Sequence, residues 1–196
     1  MTKVMICVGE ASGDLHGASV AEALRAMKPG IEILGMGGAF MREAGVDIVY
    51  DIAGIGVMGV TGFFFKLPKF FALRALLANI MDERRPDAIV LIDYGGFNMA
   101  LAALAKKKRI PVVYYICPKA WIWGRWRAKA IAGWVSKIAA IFPFEAETYR
   151  AAGASVTFVG HPLIDIVKPS MDRAAAYQHF GVDATRPLVL LLPGSR

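Results

Sequence analysis

Four short stretches of this sequence, three of them with glycines, carry polar side chains in patterns that suit chemistry. Gly9-Glu10-Ala11-Ser12-Gly13-Asp14 follows the apolar run 4–8 and opens a helical pattern. Small residues at a helix start leave backbone N–H groups, and the positive end of the helix dipole, for an anion. Neither the G-x-G-x-x-G spacing of a dinucleotide site nor the G-x-x-x-x-G-K-S/T of a phosphate loop occurs. The stretch therefore reads as a ligand contact at a helix N-terminus, the plainer alternative being that Ser12 or Asp14 is the N-cap. Asp93-Tyr94-Gly95-Gly96-Phe97-Asn98 follows the apolar run 88–92. A carboxylate ending a buried strand is costly to bury unless it is paired or exposed at the tip. Two glycines beside it let a ligand approach the backbone closely. Asp93 is thus the candidate general base, and the alternative is an Asp that anchors its own loop through hydrogen bonds. Cys117-Pro118-Lys119-Ala120-Trp121-Ile122-Trp123 and Gly160-His161-Pro162 also lie past strand-like runs. A single histidine in a turn is more often structural than catalytic, which applies to His161, His16 and His179 alike. No His/Cys/Asp/Glu grouping has metal-ligand spacing and no G-x-S-x-G elbow occurs, so neither a metal nor a cofactor is expected.

A fifth segment, 55–71, is apolar and carries Met58, Phe63, Phe64, Phe65, Lys66, Lys69 and Phe70. The glycines of its first half make a poor helix, and three consecutive Phe side chains cannot all face one core. Large apolar residues beside Lys66, Lys69 and Arg74 suit a surface that dips into a bilayer interface or holds acyl chains. The alternative is that part of the segment caps the core.

The charge is uneven. The chain has 23 Lys+Arg against 16 Asp+Glu, a net charge of +7. Between Asp93 and Glu145 there is no acid, yet nine cations lie there: Lys106, Lys107, Lys108, Arg109, Lys119, Arg125, Arg127, Lys129 and Lys137. The first four end a helical pattern, where cations complement the dipole and face solvent. The later ones are interleaved with Trp121, Trp123, Trp126 and Trp134, which suits an anionic partner and permits stacking on single-stranded nucleic acid.

These loops need elements to hold them. Runs at 3–8, 31–35, 46–50, 88–92, 112–116, 138–142, 156–159 and 188–192 predict strands, several of them continuously apolar as parallel strands covered on both faces require. Helical patterns fill the gaps at 14–28, 38–44, 66–84, 97–108, 124–134, 145–151 and 172–180. The alternation predicts an α/β fold, doubly wound around a mostly parallel Rossmann-like sheet with right-handed crossovers. In such folds ligands bind at the carboxyl ends of the strands. A chain of 196 residues that is 56% hydrophobic and 20% charged is not disordered. It can bury roughly 70% of its unfolded surface, so Cys7 and Cys117 are expected as buried, reduced thiols. No signal-peptide pattern opens the chain, and no uncharged apolar run reaches the about 18 residues of a membrane-spanning helix. The strand at 188–192 leads into Pro193-Gly194-Ser195-Arg196, a glycine loop with no helix after it, as if a second α/β domain had been cut off.

The motifs GEASGD at 9–14, GIGVMG at 54–59, Ile92-Asp93 with Phe97-Asn98, Pro118 with Trp121 and Trp123, FPFE at 142–145, GHP at 160–162 and LPGSR at 192–196 occur in one order along the whole chain. Together they resemble the lipid-A-disaccharide synthase family, bacterial glycosyltransferases of the two-domain GT-B architecture. The resemblance implies the N-terminal half of such an enzyme. Residues 1–170 would form its Rossmann-like acceptor-side domain, and 171–196 a linker helix and the first strand of a truncated nucleotide-sugar domain.

The implied reaction moves 2,3-diacylglucosamine from UDP to the 6-hydroxyl of 2,3-diacylglucosamine 1-phosphate, with inversion. It yields the β-1,6 disaccharide 1-phosphate and UDP at the cytoplasmic face of the inner membrane. Asp93 matches the family's base, and Arg196 a residue important for activity that can hold a phosphate bidentately. By the same resemblance, Glu10, Ser12, Gly13, Asp14, Asn98, Trp121 and Trp123 belong to the acceptor side. His161 and Ser195 belong to the diphosphate side between the domains. Met58, Phe63, Phe64, Phe65, Lys66, Lys69 and Phe70 would meet lipid. The implied partners are the two lipid substrates and an anionic membrane surface, without nucleic acid and with room for a homodimer. Gly95-Gly96 departs from the family's Pro-Asp or Pro-Gly, and Lys119 stands where the family has Ser. One wall of a cleft cannot align donor with acceptor, so the 196-residue chain alone is expected to have little or no activity. The rival readings are a UDP-sugar epimerase, which does not need the Phe-rich segment, and a membrane- or nucleic-acid-binding module on the same sheet. An NAD-dependent oxidoreductase would need the missing glycine fingerprint.

Overall fold

The computed structural model describes residues 1–55, 63–123 and 125–191, and the side chains described exclude those of 54–67, 121 and 123–125. Among the described residues seven strands form one parallel sheet: β1 (Lys3–Cys7), β2 (Glu32–Gly37), β3 (Asp47–Asp51), β4 (Ala88–Ile92), β5 (Val112–Tyr115), β6 (Lys137–Ala140) and β7 (Val156–Phe158). Their spatial order is β3-β2-β1-β4-β5-β6-β7. Between them run α1 (Ala11–Met27), α2 (Ala39–Glu43), α3 (Phe63–Arg84), α4 (Gly95–Lys107), α5 (Ala120–Trp123), α6 (Arg125–Trp134) and α7 (Pro143–Ala151), with a 3-10 turn at Ile52–Ile55. This is the doubly wound order, and the chain reverses its direction of winding between β1 and β4.

Side chains that alternate along β1 assign the two faces. Val4 and Ile6 pack with Ala18 and Ala21 of α1 and Met41 of α2. Met5 and Cys7 join the larger cluster, which holds Leu77 of α3, Leu101 of α4, Ile131 of α6 and Tyr149 of α7. Coverage of both faces holds for β1 and β2 but not for β5 and β6, where buried residues alternate with half-buried Val113, Tyr115 and Ala139. The reason is the handedness rule: the steps from β4 to β7 all run one way, so right-handed crossovers put their helices on one face. Gly35 is required by backbone proximity, since a Cβ there would stand 1.8 Å from the Ile6 carbonyl oxygen. The β2–β3 pairing shifts register at the same point. Among the described residues no helix is long and apolar enough to cross a membrane.

The chain divides into two compact units, Met1–His161 and Pro162–Arg196. The second contains α8 (Leu163–Ile166), a single turn without a sequence pattern of its own, and α9 (Arg173–His179). Asp172 caps α9 by accepting a hydrogen bond from the Ala175 N–H at 2.8 Å. Asp172→Ala should weaken α9 by about 1 kcal/mol, read as faster amide hydrogen exchange confined to that helix. Of the strand expected at 188–192, residues 188–191 lie outside any strand among the described residues, and Val189 and Leu191 are 89% and 83% exposed. An apolar run becomes a strand only through a ladder partner, and the described residues provide none for it.

Candidate functional site

The loops after β1 and β4 meet at the point where the winding reverses. Tyr94 lays its ring on Gly9, so closely that a Cβ at Gly9 would lie 2.1 Å from Tyr94 Cγ. Asn98, fully buried in the first turn of α4, ties the two strand ends together. Its Nδ2 donates to the carbonyls of Asp93 at 2.9 Å, Ile92 at 3.1 Å and, more weakly, Cys7 at 3.4 Å. The side chain expected to face the acceptor therefore spends its donors inside the fold.

Asp93 is held in an uncommon backbone state. Asp93 and Tyr94 both lie in the left-handed region, at φ 49° and 48°. Each such residue other than glycine costs about 1–2 kcal/mol. The conformation persists because its backbone is pinned three ways. The Asp93 carbonyl accepts from Tyr114 Oη and Asn98 Nδ2, both at 2.9 Å, and its N–H donates to the Tyr115 carbonyl at 3.2 Å. Burial, and then the nearby charge of Glu10, push the Asp93 carboxyl above its usual range, while a hydrogen bond from the Tyr94 N–H and then the charges of Lys119 and His16 act the other way. Hydrogen bonds do anchor this loop: most are made by the Asp93 backbone, and the carboxylate itself accepts one from the Tyr94 N–H. Its carboxyl is half-buried and raised in basicity, as a proton acceptor requires.

The 9–14 stretch divides in two. Glu10, not Ser12 or Asp14, is the N-cap of α1, and no side chain caps that helix. Ser12 is exposed at the helix start, and Gly13 is buried against Val8. Asp14 is 3% exposed and turns to the neighbouring loop. Its Oδ1 accepts from the N–H groups of Gly38 at 2.6 Å and Met41 at 3.2 Å, and its Oδ2 from Phe40 at 2.9 Å. It thus satisfies the start of α2 and joins the loops after β1 and β2.

A third loop approaches from β5. Tyr149 Oη donates to the Pro118 carbonyl at 2.7 Å, fixing the turn that carries exposed Lys119 into α5. Glu145, 1% exposed, reaches back with Oε2 to the Ile141 N–H at 2.9 Å and closes the start of α7. Burial raises its carboxyl despite the backbone N–H groups that favour the charged form. The FPFE motif is thereby a scaffold for the loop that bears Lys119. His161, past β7, sets its ring 5.3 Å from that of Phe142. Cys7 and Cys117 are buried and unpaired, and burial pushes the Cys7 thiol up to about 12, out of reactive range.

The remaining sequence candidates separate. Trp121 and Trp123 belong to α5, and Phe63, Phe64, Phe65 and Lys66 to the first turns of α3, with side chains outside the described set. Met58, Ser195 and Arg196 lie outside the described residues. Phe70 does not face outward: its ring stands edge-on to Phe97 at 4.9 Å and packs on the core. Among the described side chains of α3, the exposed ring is Phe71, at 55%, beside exposed Lys69. His16 belongs to the site although its sequence context singled out nothing; Asp93 and His161 both act on its charge. Among the described residues no group of acids, histidines and cysteines could hold a metal.

Solved structures share this fold at low identity. UDP-GlcNAc 2-epimerase from Neisseria meningitidis, bound to UDP-GlcNAc, matches with a TM-score of 0.63 at 13% identity, over 84% of this chain and 47% of that one. MurG from Acinetobacter baumannii matches with a TM-score of 0.52 at 16% identity, over 83% and 46%. The relation in sequence is much closer. Lipid-A-disaccharide synthase of Syntrophus aciditrophicus is 45% identical over 193 residues, 98% of this chain and 50% of that protein. The Myxococcus xanthus enzyme of the same name is 39% identical over 195 residues, 99% of this chain and 51% of that protein. The chain thus spans about half the length of these curated relatives. A family model described as lipid-A-disaccharide synthetase matches residues 4–196, taking in both the Asp93 turn and the loops that meet it, and the chain belongs to that family.

Proposed function

We propose that this chain supplies the acceptor side of a lipid A disaccharide synthase. The observation that carries the reading is Asp93, held by its own backbone at the switch point with a carboxyl more basic than usual. The acceptor 6-hydroxyl gives its proton to the Asp93 carboxylate as its oxygen bonds to C1 of the UDP-linked 2,3-diacylglucosamine. The C1–O bond to UDP breaks, UDP leaves with the electron pair, and the configuration inverts. A base raised towards the working pH takes a hydroxyl proton more readily than an ordinary carboxylate. Glu10 and Ser12 border the acceptor with Trp121 and Trp123, while Gly13, Asp14 and Asn98 hold the loops in shape. Lys119 offers a cation to the acceptor phosphate. Arg196 and Ser195, with His161, take the diphosphate side. Met58, Phe63, Phe64, Phe65 and Lys66, with Lys69 and exposed Phe71, meet the acyl chains or the inner-membrane surface. Each suitably placed cation is worth about 1 kcal/mol near an anionic leaflet.

The test is product analysis. The complete transferase, given UDP-2,3-diacylglucosamine and 2,3-diacylglucosamine 1-phosphate, should release UDP and a β-1,6 disaccharide 1-phosphate in equal amounts. An epimerised UDP-sugar with no disaccharide would replace this reading by the epimerase one.

A further inference from the structure

His16 lies one turn into α1, where the sequence offers only a structural reading. We propose that His16 is a positioning residue for Asp93: its imidazole belongs to the same switch-point cluster and, once charged, keeps that carboxylate ionised for proton transfer. The inference rests on the reading of Asp93 as the base. Both residues converge on the tip of β5. The His16 ring stands edge-on to Tyr115, with centroids 6.4 Å apart, and the Tyr115 carbonyl accepts the Asp93 N–H. His16 Nδ1 is buried and makes no hydrogen bond among the described residues. A polar atom left this way in a native fold calls for a functional explanation.

The charges around the pair give the device its direction. Burial, and then Glu10 from the loop after β1, favour protonated Asp93, while the Tyr94 N–H, Lys119 ahead of α5 and His16 favour the carboxylate. Burial and His161, past β7, hold His16 below the usual histidine range, and Asp93 opposes them. The imidazole is therefore neutral at alkaline pH and gains its charge as the pH falls. That is the range in which Asp93 would otherwise take a proton and cease to be a base. Each charge thus favours the charged form of the other, and the imidazolium keeps the carboxylate available to lower pH than Asp93 could alone.

Two measurements test this. In the 196-residue chain, the NMR titration midpoint of the His16 ring protons should fall in Asp93→Asn, because the anion that favours the imidazolium is gone. An unmoved midpoint overturns the inference. In the complete transferase, His16→Gln should move the acid limb of kcat to higher pH, with a loss that deepens as the pH falls. A uniform loss at every pH marks a packing role and overturns it as well. If Asp93→Asn instead leaves turnover intact while the His16 midpoint still shifts, the base assignment has failed and the electrostatic pair has not.

Discussion

Asp93→Asn is expected to slow turnover of the complete transferase by about 10²–10⁴-fold, the range that a positioned general base contributes. Asparagine keeps the shape of the side chain but cannot take the acceptor proton. The Asp93 backbone bonds to Tyr114, Tyr115 and Asn98, and an asparagine Oδ1 can still accept the Tyr94 N–H that the carboxylate takes, so the substitution leaves the scaffold in place. The loss should therefore fall on kcat, with the KM for acceptor lipid changed far less. Turnover within threefold of the parent would remove Asp93 from the chemistry.

The same carboxyl makes a pH prediction with a definite sign. Burial first, and Glu10 second, raise Asp93 above the ordinary carboxylate value. Activity that needs the ionised form is complete above the raised value and lost as the pH falls through it. The acid limb of kcat/KM should thus lie above the usual carboxylate range and vanish in Asp93→Asn. Stability runs the other way. Between the ordinary and the raised value the folded chain holds a proton that the unfolded chain has released, so stability falls as pH rises through that window. At neutral pH Asp93→Asn should melt at a higher temperature than the parent, a signature of a group kept for function at some expense to the fold.

How much of this was legible in the sequence depends on how local each cause is. The strand at 88–92 is a continuous apolar run because it lies in the middle of a parallel sheet, and the pattern carries that fact within five residues. The run at 112–115 is equally apolar although one face of β5 is only half-buried, which its residue types do not reveal. The helices α5 and α8, four residues each, span a single turn, too short for a helical period to repeat and reveal them. The position of Asp93 at a strand tip was readable from its run and the glycines after it. Its left-handed backbone was not, because Tyr114 and Asn98, which stabilise it, are supplied by other elements. The role of His16 is hidden for the same reason: nothing within its own helix shows that the β4 and β7 loops bring Asp93 and His161 within range of its charge. Phe70 and Phe71 are neighbours of one type, and only the packing of α3 on Phe97 decides which ring is buried. Residues 188–191 fail as a strand because pairing is a property of two segments and a local pattern reports only one.

Asp14→Ala should destabilise the chain by about 3 kcal/mol or more, since hydrogen bonds to a charged group each contribute about 1.5–3 kcal/mol and three end on this carboxylate. For a chain of this length that corresponds to a melting temperature lower by about 6–12 °C or more. The loss is that large because the site is buried: the N–H groups of Gly38 and Met41 lose their partner where water has little access. Asp14→Asn separates the hydrogen-bond account from a packing one. Its amide oxygen can still receive Gly38 and Met41, but its amide nitrogen would then stand against the Phe40 N–H, donor to donor. The asparagine variant should accordingly melt between the parent and Asp14→Ala. Both variants test the division of the 9–14 stretch into a scaffold and a binding edge. If Asp14 instead met the acceptor, Asp14→Asn would keep the parent's melting temperature and raise the KM for acceptor lipid. The geometry predicts the opposite order, with melting temperature falling first and kinetics following only through the displaced loops after β1 and β2.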